Sequence, residues 1–189
     1  MNYQGSYCAL ITPFKDDKFD EKSFMKIVEW HIKHGTKGIV PCGTTGESPT
    51  LSHEEHKRVV ETALEVSNGK LQVIAGTGSN STKEAISLTK HAKEQGANSA
   101  LIVVPYYNKP SQNGLMEHYL KIADSVDLPI FIYNIPGRSV VDMHDDTIQK
   151  LSEHENIIGI KDASNDLSRP AHLKKYIKNK KFFQLSGED

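Results

Sequence analysis

Short apolar runs alternate with longer amphipathic stretches along the whole chain. The runs are continuous rather than alternating, which is typical of strands buried on both faces of a parallel sheet. The stretches between them repeat their apolar residues with the helical period. The pattern predicts seven strands and six helices. The predicted strands are Cys8–Ile11, Gly38–Val40, Val73–Ala75, Ala100–Val104, Ile130–Tyr133, Ile157–Ile160 and Phe182–Leu185.

Capping residues mark several helix boundaries. Ser52 with Glu55, and Ser81 with Glu84, have the spacing of capping boxes that open helices. Glycines stand where three helices are expected to end, at Gly35, Gly69 and Gly96.

This alternation predicts an α/β fold with right-handed crossovers. A doubly wound sheet would carry a glycine-rich ligand loop after its first strand. Here Thr12-Pro13-Phe14 follows the first strand, and the glycine-rich loop follows the second. Polar residues follow nearly every strand, which favours a (β/α)8 TIM barrel, because such a barrel assembles its site from strand ends at one face.

Seven strands are one fewer than a closed (β/α)8 barrel needs. We expect residues 1–189 to form a single, incomplete barrel domain that lacks the last strand–helix unit and the C-terminal helices. Two explanations stay open: the chain is a fragment of a longer protein, or another chain covers the open sheet edges.

Composition narrows the class of protein. The 189 residues include 23 Lys and Arg against 24 Asp and Glu, so no net positive field attracts nucleic acid. The chain shows no apolar run of about 20 residues for a membrane helix and no secretory signal pattern. We expect a cytoplasmic protein in which Cys8 and Cys42 are reduced core thiols.

Lys161 is the first candidate for chemistry, because it ends a wholly apolar strand. A desolvated lysine amine can attack a carbonyl and form a Schiff base. A lysine that extends to solvent or pairs with Asp162 explains the pattern equally well.

Two further candidates lie at and just after the end of the fifth predicted strand. Tyr133 ends it, where a phenol could transfer protons during imine formation, although an aromatic that caps the core is the alternative. Arg138 follows a Pro-Gly turn, where a guanidinium suits a substrate carboxylate. A solvated surface arginine is the alternative there.

The loops after the second and fourth strands are also candidates. Residues 43–47 read GTTGE, in which Thr44 and Thr45 offer hydroxyls beside glycines that let backbone N–H groups approach an anion. A plain tight turn is the alternative. Residues 105–110 read PYYNKP and place paired aromatics after the fourth strand.

Taken together, these motifs resemble the dihydrodipicolinate synthase and N-acetylneuraminate lyase superfamily of pyruvate-dependent class I aldolases. The resemblance rests on GTTGE, PYYNKP, YNIPGR (residues 133–138), IGIKD (residues 158–162) and the opening ALITPF. The Thr-Thr pair, the second tyrosine of PYYNKP and the arginine of YNIPGR resemble the dihydrodipicolinate synthase branch. Sialic acid and sugar-acid lyases are the nearest alternative.

The resemblance implies a role for each matching residue. Lys161 forms an imine with pyruvate, and Thr44 and Thr45 meet the pyruvate carboxylate. Tyr133, Thr45 and Tyr107 form a proton relay, in which Tyr107 reaches the site of a neighbouring subunit. Arg138 holds aspartate semialdehyde, and Gly187 contributes a backbone contact near the imine.

The implied reaction condenses pyruvate with L-aspartate 4-semialdehyde in lysine and diaminopimelate biosynthesis. The resemblance implies no metal, no organic cofactor and a homotetramer arranged as a dimer of dimers. A non-catalytic remnant that keeps the motifs is the alternative from another class of function.

The resemblance also implies a possible lysine feedback site. Pro49 departs from the commoner small residue of that region, so lysine sensitivity stays open. His53 and His56 do not form a zinc-binding HExxH motif, and we expect no metal there. The matching positions are Ser48, His53, His56, Asn80, Glu84 and Tyr106.

Overall fold

The structure is a computed structural model that describes residues 2–179 and 181–188. The chain divides into two compact units. The first holds the residues up to Thr77 together with Leu88–Ala100, and the second holds Gly78–Ser87 and the residues from Leu101 onwards.

The described residues form nine strands and seven α-helices. The strands are β1 (Tyr7–Ala9), β2 (Phe14–Lys15), β3 (Lys18–Phe19), β4 (Gly38–Val40), β5 (Gln72–Gly76), β6 (Ser99–Val103), β7 (Ile130–Asn134), β8 (Ile157–Asp162) and β9 (Phe183–Ser186). The helices are α1 (Glu21–Lys33), α2 (His53–Ser67), α3 (Thr82–Glu94), α4 (Gln112–Ser125), α5 (Pro136–Ser139), α6 (Asp145–Leu151) and α7 (Arg169–Tyr176), with a 3-10 turn at Ser48–Thr50.

The seven strands predicted from the apolar runs are confirmed as β1 and β4 to β9. In the first unit, β4 pairs in parallel with β1 and with β5. In the second unit the strand order is β6, β7, β8, β9, and β8 pairs in parallel with β7 and β9. Strands that follow one another in chain order, with helices between them, are the architecture of an incomplete (β/α)8 barrel.

Two elements have no counterpart in the sequence prediction. The hairpin of β2 and β3 has only two residues in each strand, too few for a period to show. Its turn consists of Asp16 and Asp17, both with left-handed φ, as a tight I′ turn requires. The other is α5, a single turn that begins at Pro136, where the fixed φ of proline suits a first helical position.

The predicted helix caps are largely confirmed. Ser52 Oγ accepts from the Glu55 amide at 3.2 Å, and the Glu55 carboxylate accepts from the Ser52 amide at 3.0 Å. At α3, Ser81 Oγ accepts from the Glu84 amide at 3.4 Å, whereas the Glu84 carboxylate accepts from the Ser79 hydroxyl. The three glycines expected at helix ends have left-handed φ, and they are Gly35, Gly69 and Gly96.

Each unit buries the apolar faces of its own elements. In the first unit, Phe24 and Val28 of α1 are fully buried. In the second, Tyr119 of α4 is fully buried, and its hydroxyl donates to the Ile102 carbonyl at 2.7 Å. Within the described part of the chain, no helix is both long and apolar enough to cross a bilayer.

His118 is a buried titratable group in the second unit. Its side chain lies on α4, and Nδ1 is 2.8 Å from the Thr82 hydroxyl. Among the described residues its Nε2 atom has no hydrogen-bond partner. Burial lowers the pKa of His118 from 6.5 to about 4, because the charged imidazolium is poorly solvated there.

We therefore expect the chain to lose stability as the pH falls from 6.5 towards 4. The unfolded chain binds a proton at its ordinary pKa, whereas folded His118 binds one only near pH 4, so acid favours unfolding. The free energy of unfolding should fall by about 3 kcal/mol over this range from His118 alone. His118→Gln should flatten that part of the decline in urea titrations at several pH values. His172→Gln, at an exposed position on α7, should retain it.

Candidate active site

The candidate residues are distributed over both units. In the second unit, the carboxyl ends of β7 and β8 bring two of them together. Tyr133 pairs in register with Lys161, and Asn134 pairs with Asp162. Lys161 Nζ lies 4.4 Å from the centroid of the Tyr133 ring, within the range of a cation–π contact. The phenol ring is buried, and the lysine is partly exposed.

Asn134 follows Tyr133, and Asp162 follows Lys161. Because side chains alternate along a strand, Asn134 and Asp162 lie on the opposite face of the sheet from Tyr133 and Lys161. Asn134 is fully buried, and its amide nitrogen donates to Asp162 Oδ1 at 2.9 Å and to Asp142 Oδ1 at 2.7 Å. The side-chain oxygen of Asn134, Oδ1, accepts a hydrogen bond from the Met143 backbone amide at 3.0 Å.

Arg169, at the start of α7, completes this group. Its guanidinium donates to both carboxylate oxygens of Asp142 at 2.8 Å and to Asp162 Oδ1 at 3.2 Å, and Nε lies 3.2 Å from Asp145 Oδ1. Hydrogen bonding to Arg169 holds the pKa of the Asp142 carboxyl below its usual range. We call Asn134, Asp142, Asp145, Asp162 and Arg169 the Arg169 cluster. Sequence analysis did not single it out as a group, although two members directly follow Tyr133 and Lys161.

Arg138 and Gly187 also belong to the second unit. Arg138 is exposed on α5. The Gly187 amide donates to the Asp162 carbonyl at 2.7 Å, and a Cβ at Gly187 would lie 2.8 Å from Ala163 Cβ. The Gly187 backbone is thus held against the residue that follows Lys161.

Tyr107 projects from the loop after β6. Its side chain is 88% exposed, and its φ is +73°, an uncommon conformation for a residue with a Cβ. The Asn108 side-chain amide donates to the Asn80 carbonyl at 3.2 Å, and Asn80 Nδ2 donates to the Tyr106 carbonyl at 3.2 Å. These bonds hold the loop that presents the Tyr107 ring to solvent.

The six residues matched to a lysine site lie in two groups. In the second unit, Asn80 contacts Tyr106, whose pKa is raised by burial and by the nearby Glu84 carboxylate. In the first unit, His53 begins α2, and Ser48 begins the 3-10 turn.

His56, the sixth of them, has a structural contact of its own. It is buried in the first unit, and its Nε2 is 2.8 Å from the Gly76 carbonyl. The imidazole thus joins α2 to the end of β5.

In the first unit, residues 41–47 form the turn that follows β4. The Gly46 amide donates to the Gly43 carbonyl at 3.1 Å, and Thr12 Oγ1 donates to the Gly46 carbonyl at 2.7 Å. This turn leaves Thr44 and Thr45 exposed at its tip.

The end of β5 supports this turn by close backbone contact. The Gly76 amide donates to the Pro41 carbonyl at 2.9 Å. A Cβ at Gly76 would lie 2.1 Å from the carbonyl oxygen of Cys42, which has a φ of +55°. Only glycine allows the two backbones to approach this closely.

Both cysteines are free thiols, as predicted, but only Cys42 lies in the core, because Cys8 on β1 is partly exposed. Burial raises the pKa of Cys42, which is fully enclosed, and to a lesser degree that of Cys8. Among residues 2–179 and 181–188, no three His, Cys, Asp or Glu side chains are arranged to hold a metal ion.

Strand–helix units with polar residues at the carboxyl ends of their strands define the chain as a protein of the (β/α) barrel class. Within that class, the chain belongs to the dihydrodipicolinate synthetase family, whose sequence profile matches residues 2–189. A curated relative from Rhodospirillum centenum, 4-hydroxy-tetrahydrodipicolinate synthase, is 60% identical over 187 residues, which are 99% of this chain and 64% of the relative.

Solved structures of this family have the same fold as the chain. Dihydrodipicolinate synthase from Aquifex aeolicus matches with a TM-score of 0.96 and 50% identity, over 98% of this chain and 64% of that one. The chloride-inhibited enzyme from Acinetobacter baumannii, complexed with pyruvate, matches with a TM-score of 0.95 and 52% identity over the same shares. The chain thus spans about 64% of the length of these relatives.

The contact between β5 and the turn generates a prediction. Gly76→Ala should force the turn that carries Thr44 and Thr45 away from β5, because the added methyl group would overlap the Cys42 carbonyl. We expect a loss of about 1–3 kcal/mol in the free energy of unfolding. Gly137→Ala is the matched control, since a Cβ there meets nothing within 4 Å. Equal urea midpoints for the two variants would contradict the close packing.

Proposed function

We propose that the chain carries the imine-forming site of a 4-hydroxy-tetrahydrodipicolinate synthase, which condenses pyruvate with L-aspartate 4-semialdehyde in lysine and diaminopimelate biosynthesis. The observation that carries the proposal is the position of Lys161 Nζ, 4.4 Å from the Tyr133 ring at two paired strand ends. Membership of the family and the pyruvate complex of the Acinetobacter baumannii relative support the choice of pyruvate.

In the proposed first step, the neutral amine of Lys161 attacks the carbonyl carbon of pyruvate. The resulting carbinolamine loses water and leaves an imine, for which Tyr133 supplies and recovers the proton. The buried phenol ring shields this exchange from bulk water on one side.

The imine then acts as an electron sink. The methyl group of bound pyruvate loses a proton and gives an enamine, whose carbon attacks the aldehyde of aspartate semialdehyde. The amine of the product displaces Lys161 by transimination, so the lysine is regenerated. Every step uses groups of the protein and the two substrates, and we propose that no metal or organic cofactor takes part.

The remaining candidates bind substrate or transfer protons in this proposal. The exposed hydroxyls of Thr44 and Thr45 bind the pyruvate carboxylate, and Thr45 joins the proton relay with Tyr133 and Tyr107. Arg138 pairs with the carboxylate of aspartate semialdehyde, and Gly187 contributes its backbone close to the imine.

We propose further that the protein works as a cytoplasmic homo-oligomer, a dimer of dimers. The 88% exposure of Tyr107 supports this, because a ring held out in solvent is available to the site of a neighbouring subunit. Two expectations stay predictions. One is that residues 1–189 form one barrel domain, and the other is that lysine inhibits the protein through the six matched positions.

The first test is covalent trapping. Pyruvate and borohydride added to the chain should leave a reduced adduct on Lys161, located by peptide mass spectrometry, because borohydride converts an imine into a stable amine. Lys161→Arg should lose the adduct, since a guanidinium forms no such imine. Lys150→Arg, on α6, should keep it. A folded parent chain without an adduct at Lys161 would refute the proposed mechanism.

A second test separates the two substrates at Arg138. Arg138→Leu should form the pyruvate adduct at the parent rate but lower the rate of aspartate semialdehyde consumption about tenfold or more, because one charge-assisted carboxylate contact is lost. Arg138→Lys should retain part of the activity. An equal loss in trapping and in condensation would place Arg138 outside the binding site for the second substrate.

A further inference from the structure

We propose that Arg169 is a positioning residue of the imine-forming site, which acts on Lys161 through the Asp162 carboxylate on the opposite face of β8. The inference rests on the proposed function and goes beyond the candidates that the sequence provided. It concerns how the second unit holds the reacting amine, and it assigns no contact between Arg169 and substrate.

Side chains alternate between the two faces along the paired strands β7 and β8. Tyr133 and Lys161 lie on one face, and their neighbours Asn134 and Asp162 lie on the other. A bond that fixes Asp162 therefore fixes the backbone that sets the direction of the Lys161 side chain. The Asn134 amide makes this bond at 2.9 Å, so the ends of β7 and β8 are joined by side chains as well as by the sheet.

Arg169 also balances the negative charge of the cluster. Three carboxylates converge on the Arg169 guanidinium: Asp142 from the segment before α6, Asp145 from α6 and Asp162 from β8. The Arg169 side chain is 9% exposed, and its guanidinium donates hydrogen bonds to Asp142 and Asp162, while its Nε forms an ion pair with Asp145 at 3.2 Å. Without it the carboxylates would repel one another. Their uncompensated negative charge, of which Asp162 lies one residue along β8 from Lys161, would favour the protonated form of the Lys161 amine, which is not nucleophilic.

The planar guanidinium of Arg169 suits this arrangement of carboxylates. Its two forked nitrogens reach both oxygens of Asp142, while one of them also reaches Asp162. A lysine ammonium is a single point of charge and cannot span two carboxylates in this way. Arginine therefore fixes the position of β8 relative to the start of α6 more strongly than lysine would.

The test measures the rate of imine formation with pyruvate, followed by borohydride trapping, in the parent chain and four variants. Arg169→Leu should form the imine about tenfold more slowly or worse at saturating pyruvate, because a small misplacement of a reacting group is costly. The pyruvate concentration for half-saturation should change much less. Arg169→Lys should be intermediate. A purely structural loss would lower the folded fraction and leave the rate per folded molecule unchanged.

Arg58→Leu is the matched control. Arg58 also contacts three carboxylates, Glu21, Glu61 and Glu65, but it belongs to the first unit and borders no imine residue along its own strand or helix. We expect this variant to keep the imine rate of the parent. The double variant Arg169→Leu with Asp142→Asn should recover part of the rate, because it removes one uncompensated charge.

A second readout keeps the two proposals distinguishable. Acetic anhydride in trace amounts acetylates each lysine at a rate set by the fraction of its amine that is neutral and by the accessibility of that amine. The other lysines serve as internal standards. Relative labelling of Lys161 should be slower in Arg169→Leu than in the parent. An unchanged rate of imine formation and of labelling in a folded Arg169→Leu would overturn the inference. If the parent itself formed no imine, the proposed function would fail, and labelling would still decide the role of Arg169.

Discussion

The parallel register of β7 and β8 is the constraint on which the candidate site depends. It pairs Tyr133 with Lys161 and Asn134 with Asp162, so one step of the pleat separates the candidate amine and phenol from the Arg169 cluster. A slip of one residue would exchange the two faces and place the carboxylate and the amide where the amine and the phenol now lie. Gly159 contributes to this pairing, because a Cβ there would lie 2.5 Å from the Phe131 ring.

In the first unit, the turn that carries Thr44 and Thr45 also depends on a close approach made possible by a glycine. Gly76 lets β5 contact the turn after β4, and Thr12 fixes the far side of that turn through the Gly46 carbonyl. Two exposed threonine hydroxyls are thus presented by backbone that is held from both sides. Binding groups on a rigid support lose little conformational freedom when a ligand arrives.

Sequence alone located most of this framework, for physical reasons that differ between its parts. Buried strands such as β7 and β8 are continuous apolar runs, and Lys161 and Tyr133 were recognisable because each ends such a run. The Arg169 cluster was not recognisable as a group, because charged residues in a polar stretch show no period, and their partner becomes evident only when α7 is folded back. The hairpin of β2 and β3 was too short for any pattern.

Tyr107 is costly for the stability of the single chain. A left-handed backbone at a residue with a Cβ costs of order 1–3 kcal/mol, and an aromatic ring left in water recovers little of that through burial. Selection for folding of the isolated chain would favour glycine or asparagine at this position. In the proposed oligomer, this local conformational cost is offset by a role in the site of a neighbouring subunit. Substitutions chosen only to raise thermal stability would tend to remove this tyrosine first.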